Sequence, residues 1–328
     1  SQESDEVFSE EERMESSTEG RAGRLRKMKS WKTFFTVVHW SLKRSNSWVQ
    51  LAGHSGHFRR GDGDCVLKRY SELESLALRE LMADALTPHV PRYYGAIDLE
   101  GQRFNRLQDL LRGRQEPRVL DCKMGVRTYL EEEMGGARLK LRPRKDLYLK
   151  MRRVDPEAPS PEDHSLGAVT KLQYMRWRET LSSTSSLAFR IEGLTTADGK
   201  VLKDFKQTRS REQITATLLR FTGGEVDILK GYLEQLRSIE EALGRSVFFK
   251  THEVIGSSLL FVHESLGKPE VWLIDFGKTT ALPQGQTLRH DIPWEEGNRE
   301  DGYLLGLHNL MDIFSQALTQ RLTDTETT

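Results

Sequence analysis

The sequence predicts an α+β chain of two lobes, a small sheet-rich lobe followed by a larger, mainly helical one. Three observations carry this reading. Residues 47–110 run as strand, glycine loop, strand, helix and a further short strand. Residues 131–190 hold helical periodicity and no convincing strand. Two apolar runs in "EVIGSSLLFVHESLGKPEVWLIDFG" have strand length and flank a Gly/Pro loop, which predicts a β-hairpin ending at Asp275-Phe276-Gly277.

Composition sets the outer bounds. With 328 residues, 37% hydrophobic and 30% charged, the chain can bury a core in one large or two smaller domains. Forty-nine basic residues balance 49 acidic ones, so no global field draws the protein onto nucleic acid, and no nucleic-acid partner is expected. The two cysteines, Cys65 and Cys122, cannot make a disulfide framework, and the polar, acidic start lacks the apolar core of a signal peptide. A reducing, cytoplasmic setting is expected. No apolar run approaches the roughly 18 to 20 residues that span a bilayer, so a soluble protein without a transmembrane segment, and a monomer, is expected.

In chain order, residues 1–20 are acidic and Ser-rich with almost no bulky apolar residues, which predicts a disordered tail. From Arg21 to Arg60 no acidic residue occurs. Within 21–46, Trp31, Phe35, Val38 and Leu42 would lie within about 60° of one another on a helix, with Trp40 opposite and basic residues crowding both ends. A basic amphipathic helix with bulky anchors suits the groove of Ca²⁺/calmodulin; an anionic membrane surface or packing on its own domain are the alternatives.

"SWVQLAGHSGHF" and "CVLKRYS" then read as two strands around a turn from Gly53 to Gly63, followed by the helix "ELESLALRELMADAL". A strand "YYGAID" and a turn at Gly101 lead to "RFNRLQDLL", where Gln108 and Asp109 precede Leu110. "PRVLDCKMG" is an apolar strand that stops at Gly125. "EDHSLGAVTKLQYMRWRETL" continues as helix, with Ser160-Pro161-Glu162 as its start. Two helices are expected over 212–250 and a last one in "EDGYLLGLHNLMDIFSQAL".

Several of these positions carry chemistry. A strand that ends by exposing Asp275 over a glycine turn can hold a metal ion that bridges nucleotide phosphates, although such an aspartate is more often a turn former. Lys68 on an early strand, behind a glycine turn and ahead of the helical Glu74, can neutralise phosphates. In that order Lys68 and Asp275 describe a two-lobed fold that grips ATP. Asp121 and Lys123 lie two apart on a strand and so share a face. An acid there can accept a proton from an attacking hydroxyl while the cation beside it holds a phosphate; a surface salt bridge is the bland alternative. Beyond them, Arg138, Lys140, Arg142, Arg144, Lys145 and Lys150 make a basic field. Lys171, Tyr174 and Arg178 follow at i, i+3, i+7 on one helix face.

"PRVLDCKMG", "SSLL" and "IDFG", in that order, resemble the three-part signature of the inositol polyphosphate kinases. "RTYLEEE", "VDPEAP", "FRIEG", "HEVIGSSLLFVH" and "PWEEGNREDGYLLGL" are similar to the inositol 1,4,5-trisphosphate 3-kinases among them, over about residues 47–315. The resemblance implies a two-lobed, protein-kinase-like ATP-grasp fold. Its domains would be an N-terminal lobe at 47–110 and a C-terminal lobe at 111–328, with a helical inositol-phosphate-binding insert at 132–188. It implies ATP-dependent phosphorylation of the 3-hydroxyl of inositol 1,4,5-trisphosphate, and a calmodulin-binding region at 21–46. His57 and Lys68 would contact the nucleotide, Gln108, Asp109 and Leu110 the adenine. Asp121 would be the catalytic carboxylate, with Lys123 a phosphate ligand. Arg144, Lys145, Lys171, Tyr174, Arg178 and Lys278 would complete the substrate pocket, and Ser258 and Asp275 would hold Mg²⁺.

The chain departs from the resemblance after "RIEG", where Leu194, Thr195 and Thr196 replace an expected basic pair, leaving Lys200 or Lys203 as substitutes, and at Leu147 in the pocket wall. An inositol polyphosphate multikinase of broader specificity is one alternative, and the long insert argues against it. A non-catalytic scaffold that binds calmodulin or inositol phosphate is the other, and retention of Lys68, Asp121 and Asp275 argues against that.

Overall fold

The computed structural model describes residues 58–326 apart from 62, 136–140, 197, 204, 206–207 and 266–267. The segments at 1–20 and 21–46, with Trp31, Phe35, Val38, Trp40 and Leu42, and His57 of the glycine turn, lie outside the described residues.

Two compact units form, one from Leu130–Thr180 and one from the residues on either side of it in sequence. The larger unit begins with an antiparallel four-stranded sheet in the order β1-β2-β4-β3, from β1 (Phe58–Arg60), β2 (Cys65–Arg69), β3 (Tyr93–Leu99) and β4 (Gln102–Gln108). β1 falls inside the span read from sequence as a turn. Its partner register, Phe58 opposite Lys68 and Arg60 opposite Val66, moves the connection to residues 61–64. Helix α1 (Glu72–Leu81) packs on this sheet. Ser71 caps it by accepting the Glu74 N–H, with Glu72 and Glu74 in the first turn favoured by the helix dipole. The Ser75 hydroxyl and the Tyr93 phenol lie 2.7 Å apart, and that phenol bonds Asn105 at 3.0 Å, so α1 cannot rotate freely on the strands.

A second antiparallel sheet runs β10-β9-β5-β6-β7, from β5 (Arg118–Met124), β6 (Phe189–Thr195), β7 (Val201–Leu202), β9 (Ser258–His263) and β10 (Glu270–Ile274). β8 (His252–Ile255) and β11 (Lys278–Ala281) form a separate ribbon. The expected hairpin therefore exists as β9 and β10, but its first apolar run splits. Gly256, at φ +70°, sends His252–Ile255 to a different partner from Ser258–His263.

One face of the five-stranded sheet is sealed by α7 (Val226–Arg245) and α9 (Tyr303–Glu326), with α6 (Arg211–Thr222) beside them. In α7 Leu229, Tyr232, Leu233, Leu236, Ile239 and Leu243 recur at helical spacing and are buried with Leu120, Cys122, Phe261, Leu273 and Phe314. Shorter helices α5 (Thr184–Leu187) and α8 (Val247–Thr251) complete this unit.

The smaller unit holds α2 (Lys145–Val154), α3 (Pro161–Leu166) and α4 (Lys171–Thr180). The helix start expected at Ser160-Pro161-Glu162 is the start of α3, where Ser160 and Asp163 form a capping box. The helix expected to continue to residue 181 is broken at Gly167, whose φ of +62° ends α3 before α4 begins.

Candidate active site

The opposite face of the five-stranded sheet carries the site. Alternation along β5 puts Val119, Asp121 and Lys123 on it, with Ser258, Leu260 and Val262 from β9 and Trp272 and Ile274 from β10. Val119, Leu260, Val262 and Ile274 pack with Leu110, Leu111 and Trp272 into a small apolar patch distinct from the main core. That patch runs toward Ser258 and Asp121. Only Leu110 and Trp272 of this patch are partly exposed, and Trp272 lines a neighbouring cavity.

Lys68, on β2, is buried and bonds Glu74 at 2.6 Å and Asp275 at 3.1 Å. Burial works against its charge, but Asp275 and then Glu74 outweigh that and hold the ammonium above the ordinary lysine range. Glu74 also accepts the Phe276 N–H at 3.2 Å. One carboxylate on α1 thus ties the strand lysine to the Asp275-Phe276-Gly277 turn 202 residues away. Asp275 sits at φ +67°, a left-handed conformation that costs a non-glycine residue energy and turns its carboxylate out of β10.

Asp121 is fully buried, and among the described residues neither carboxylate oxygen makes a hydrogen bond of normal geometry; the same holds for the Ser258 hydroxyl. Burial pushes the Asp121 carboxyl well up, and Glu192 adds to this. Lys123 and the nearby Ser258 hydroxyl pull the other way. Lys123 is lowered to about 8, chiefly by burial and by Arg190, against the stabilising charges of Glu192, Asp275 and Asp121. Asp121, Lys123 and Asp275 therefore belong to one electrostatic cluster.

The cluster fits a hard divalent cation. Lys68 and Lys123 offer two positive groups against the carboxylates of Glu74, Asp121 and Asp275, and the buried, unbonded oxygens of Asp121 and Ser258 are hard donors. Among the described residues no three His, Cys, Asp or Glu side chains converge as a complete metal cage. An ion here would take most of its ligands from a phosphate-bearing substrate and water.

At the strand end, Gln108 closes β4 and its side chain accepts the Arg92 N–H at 3.2 Å, while the Asp109 N–H bonds the Asp64 carbonyl at 2.8 Å. A cavity of about 810 Å³ opens beside them, lined also by Arg92, Arg112 and Trp272, and it does not extend to Asp121 or Lys68. Lys278, first in β11, donates to the Thr128 carbonyl at 3.3 Å.

In the smaller unit, Arg144 precedes α2 and pairs through two of its guanidinium nitrogens with Asp146, at 2.8 and 2.6 Å, while Lys145 opens the helix on an exposed face. Lys171 donates to the Glu133 carbonyl at 2.8 Å. Tyr174 is buried, its ring centroid 5.4 Å from that of Trp177 and 6.0 Å from the Arg178 guanidinium carbon. The i, i+3, i+7 face is thus one helical surface of two cations around a phenol.

The residues that sequence reasoning passed over lie in "FRIEG". It forms β6, beside β5, and the apolar-polar alternation of Phe189, Arg190, Ile191 and Glu192 was the available signal. Arg190 and Glu192 pair at 2.7 Å. Thr195, where a basic residue was expected, is buried and accepts the Val119 N–H at 2.7 Å. Lys200 is exposed and pairs with Asp198.

The sequence profile of one family, inositol polyphosphate kinase, matches residues 104–315. The chain is 53% identical over 293 residues to human inositol-trisphosphate 3-kinase B, covering 88% of this chain and 31% of that protein. It is 54% identical over 290 residues to rat inositol-trisphosphate 3-kinase A, covering 87% and 63%. To the mouse 3-kinase C it is 52% identical over 311 residues, covering 93% and 45%. The chain thus spans between about a third and two thirds of the length of these relatives. A solved structure of an inositol phosphate multikinase from S. cerevisiae, in complex with ADP and Mn²⁺, matches with a TM-score of 0.52 at 18% identity, over 78% of this chain and all of that one. That likeness establishes the fold.

Proposed function

The chain belongs to the inositol polyphosphate kinase family, and on that premise we propose that it transfers the γ-phosphoryl group of ATP to the 3-hydroxyl of inositol 1,4,5-trisphosphate, giving the 1,3,4,5-tetrakisphosphate. The observation that carries the reading is the charge cluster in which Lys68 is bonded to both Glu74 and Asp275 while the buried Asp121 and Ser258 keep open oxygens. The high identity to three inositol-trisphosphate 3-kinases supports the choice of substrate.

In this reading the apolar patch at Leu110, Leu260 and Ile274 carries the adenine, with Gln108 and Asp109 at its edge, and His57 is a further nucleotide contact proposed from the family resemblance alone. Lys68 neutralises phosphate oxygens. Asp275 and Ser258 hold Mg²⁺, which when bound neutralises charge on the phosphates. Asp121, the one carboxylate here with both oxygens open, orients the attacking hydroxyl and accepts its proton, burial having made its ionised form more basic. Lys123 and Lys278 bind phosphates of the acceptor, together with Arg144, Lys145, Lys171, Tyr174 and Arg178. Most of the catalysis is positioning and charge neutralisation. The division into lobes at 47–110 and 111–328 with an insert at 132–188 goes with this reading, and the compactness of Leu130–Thr180 supports the insert.

Product mapping tests the substrate and position. The expected product carries the new phosphate at position 3; substantial phosphorylation at position 6 would sink the 3-kinase reading in favour of a multikinase. The basic amphipathic segment at 21–46 is proposed to bind Ca²⁺/calmodulin through Trp31, Phe35, Val38, Trp40 and Leu42, on its residue pattern alone. A peptide spanning 21–46 is expected to bind in a Ca²⁺-dependent manner and its Trp31→Ala form more weakly; no Ca²⁺-dependent binding at micromolar concentration ends that proposal. The protein is further proposed to act as a cytoplasmic monomer, in keeping with two free cysteines.

A further inference from the structure

Behind the site, where β5 ends and turns, a second buried charge cluster has no part in the scheme above. Arg127 is 1% exposed, and Glu253, on β8, is wholly buried. The Arg127 guanidinium donates to Glu253 at 2.6 Å, to the Tyr129 carbonyl at 2.7 Å, and to the Glu300 carbonyl at 3.3 and 3.2 Å through two of its nitrogens. Its far face meets the Trp294 ring at 5.1 Å, and Trp294 in turn meets Tyr129 edge-on. The second oxygen of Glu253 takes Arg299 at 3.0 Å and the Thr280 hydroxyl at 3.3 Å. All of these groups lie within the larger unit.

What this cluster joins is specific. Arg127 follows Asp121 and Lys123 by a few residues, across Gly125. Gly125 adopts φ +99°, and a Cβ there would lie 2.8 Å from the Asp301 carbonyl, so the turn out of β5 is pressed against 300–302 and needs glycine. The Val126 N–H bonds that same carbonyl at 2.8 Å. On the other side, Thr280 pairs in register with Glu253, and its strand β11 begins at Lys278, three residues beyond Asp275. Lys278 donates to Thr128, the residue next to Arg127. The Asp301 side chain fastens the same corner by accepting the Val254 N–H at 2.9 Å and meeting His290 at 2.8 Å.

We propose that Arg127 is a positioning residue of the phosphotransfer site: clamped by Glu253, it fixes the 125–129 turn to the β8–β11 ribbon and so sets Asp121 and Lys123 against Asp275 and Lys278. The proposal rests on the kinase reading above. Its physical basis is that a buried ion pair adds little net stability compared with apolar residues of the same shape, whereas a fork with several fixed donors defines an orientation. Lysine keeps the charge but cannot reach Glu253, Tyr129 and Glu300 together.

The test uses the full chain with ATP and inositol 1,4,5-trisphosphate, comparing wild type, Arg127→Lys, Arg127→Met and a core control, Leu236→Ala in α7. Wild-type turnover checks the kinase reading separately; its absence defeats that reading and not the geometry of this cluster. Given active wild type, Arg127→Met is expected to lower kcat by about 100-fold, as a displacement on the order of 1 Å does, with the KM for ATP nearly unchanged. Arg127→Lys is expected to restore part of kcat. Leu236→Ala, assayed below its melting temperature, is expected to keep kcat within about twofold despite a comparable loss of stability. The proposal is overturned if Arg127→Met keeps wild-type kcat or if its loss matches that of Leu236→Ala. It is equally overturned if Arg127→Lys yields no folded protein, which assigns Arg127 to folding alone.

Discussion

The two ends of the buried charge cluster differ in how completely they are bonded. At the Lys68 end the ammonium has two carboxylates, and one oxygen of Glu74 holds both that ammonium and the Phe276 amide, leaving only its second oxygen buried without a hydrogen bond among the described residues. At the Asp121 end the carboxylate oxygens and the Ser258 hydroxyl are buried and make no normal hydrogen bond among the described residues. A protein rarely buries unbonded polar groups without use for them, because each costs about 1–3 kcal/mol. Under the proposed function the first end is preassembled scaffold for a nucleotide, and the second is completed only by what binds there. Catalytic power and stability should therefore separate along this short stretch of sheet.

The largest effect is expected from Asp121→Asn. Loss of the proton acceptor should lower turnover by roughly 100- to 10,000-fold, with inositol phosphate binding, read by calorimetry, largely kept. Equal turnover in the mutant and wild type would remove Asp121 from the chemistry and favour a scaffold. Next is Lys68→Met, which strands the buried Glu74 carboxylate and removes the partner of the half-buried Asp275. Denaturant unfolding should show a loss of about 3–5 kcal/mol, and a loss below about 1 kcal/mol would mean that the paired end is not paired in solution.

A smaller, pH-dependent effect is expected at Lys123. With its ammonium lowered to about 8, kcat/KM for the inositol phosphate should fall as pH rises through that value, because the charge that grips phosphate is lost. The sign for stability is opposite. Between about 8 and the ordinary lysine value of 10.5 the unfolded chain holds the proton that the folded chain has released, so this residue's contribution to stability rises with pH. Lys123→Arg should abolish the alkaline limb of the rate profile; a limb that persists assigns it elsewhere. The smallest effect is expected from Lys200→Ala. Lys200 is an exposed partner of Asp198, and the KM for ATP should change by less than about twofold. A large rise would make it the substitute for the basic pair replaced by Thr195 and Thr196.

Much of this was legible beforehand because it rests on local rules. The strand period put Asp121 and Lys123 on one face, Ser160-Pro161 marked a helix start, and the apolar run into Asp275 marked a strand end. What escaped depends on partners far apart in sequence. The split between His252–Ile255 and Ser258–His263 is decided by which strand each finds, and the short β1 by pairing with β2. "FRIEG" is read from sequence only for its resemblance, and its place beside β5, where Arg190 and Glu192 pair, is set by a partner strand far away in sequence. The Arg127 clamp joins three segments, and no single one of them announces it. Pairing state was likewise invisible: order along the chain made Lys68, Glu74 and Asp275 candidates, but only the fold shows Lys68 bonded to the other two while both oxygens of Asp121 stay open.

The measurement that most directly tests the separation takes ligand-free Asp121→Asn and determines its unfolding free energy in urea alongside its turnover of inositol 1,4,5-trisphosphate. Stability within about 1 kcal/mol of wild type is expected, since neutralising a wholly buried carboxylate offsets the lost attraction to Lys123, together with near-complete loss of phosphoryl transfer. A variant that loses more than about 1 kcal/mol of stability, or one that retains wild-type turnover, would contradict it.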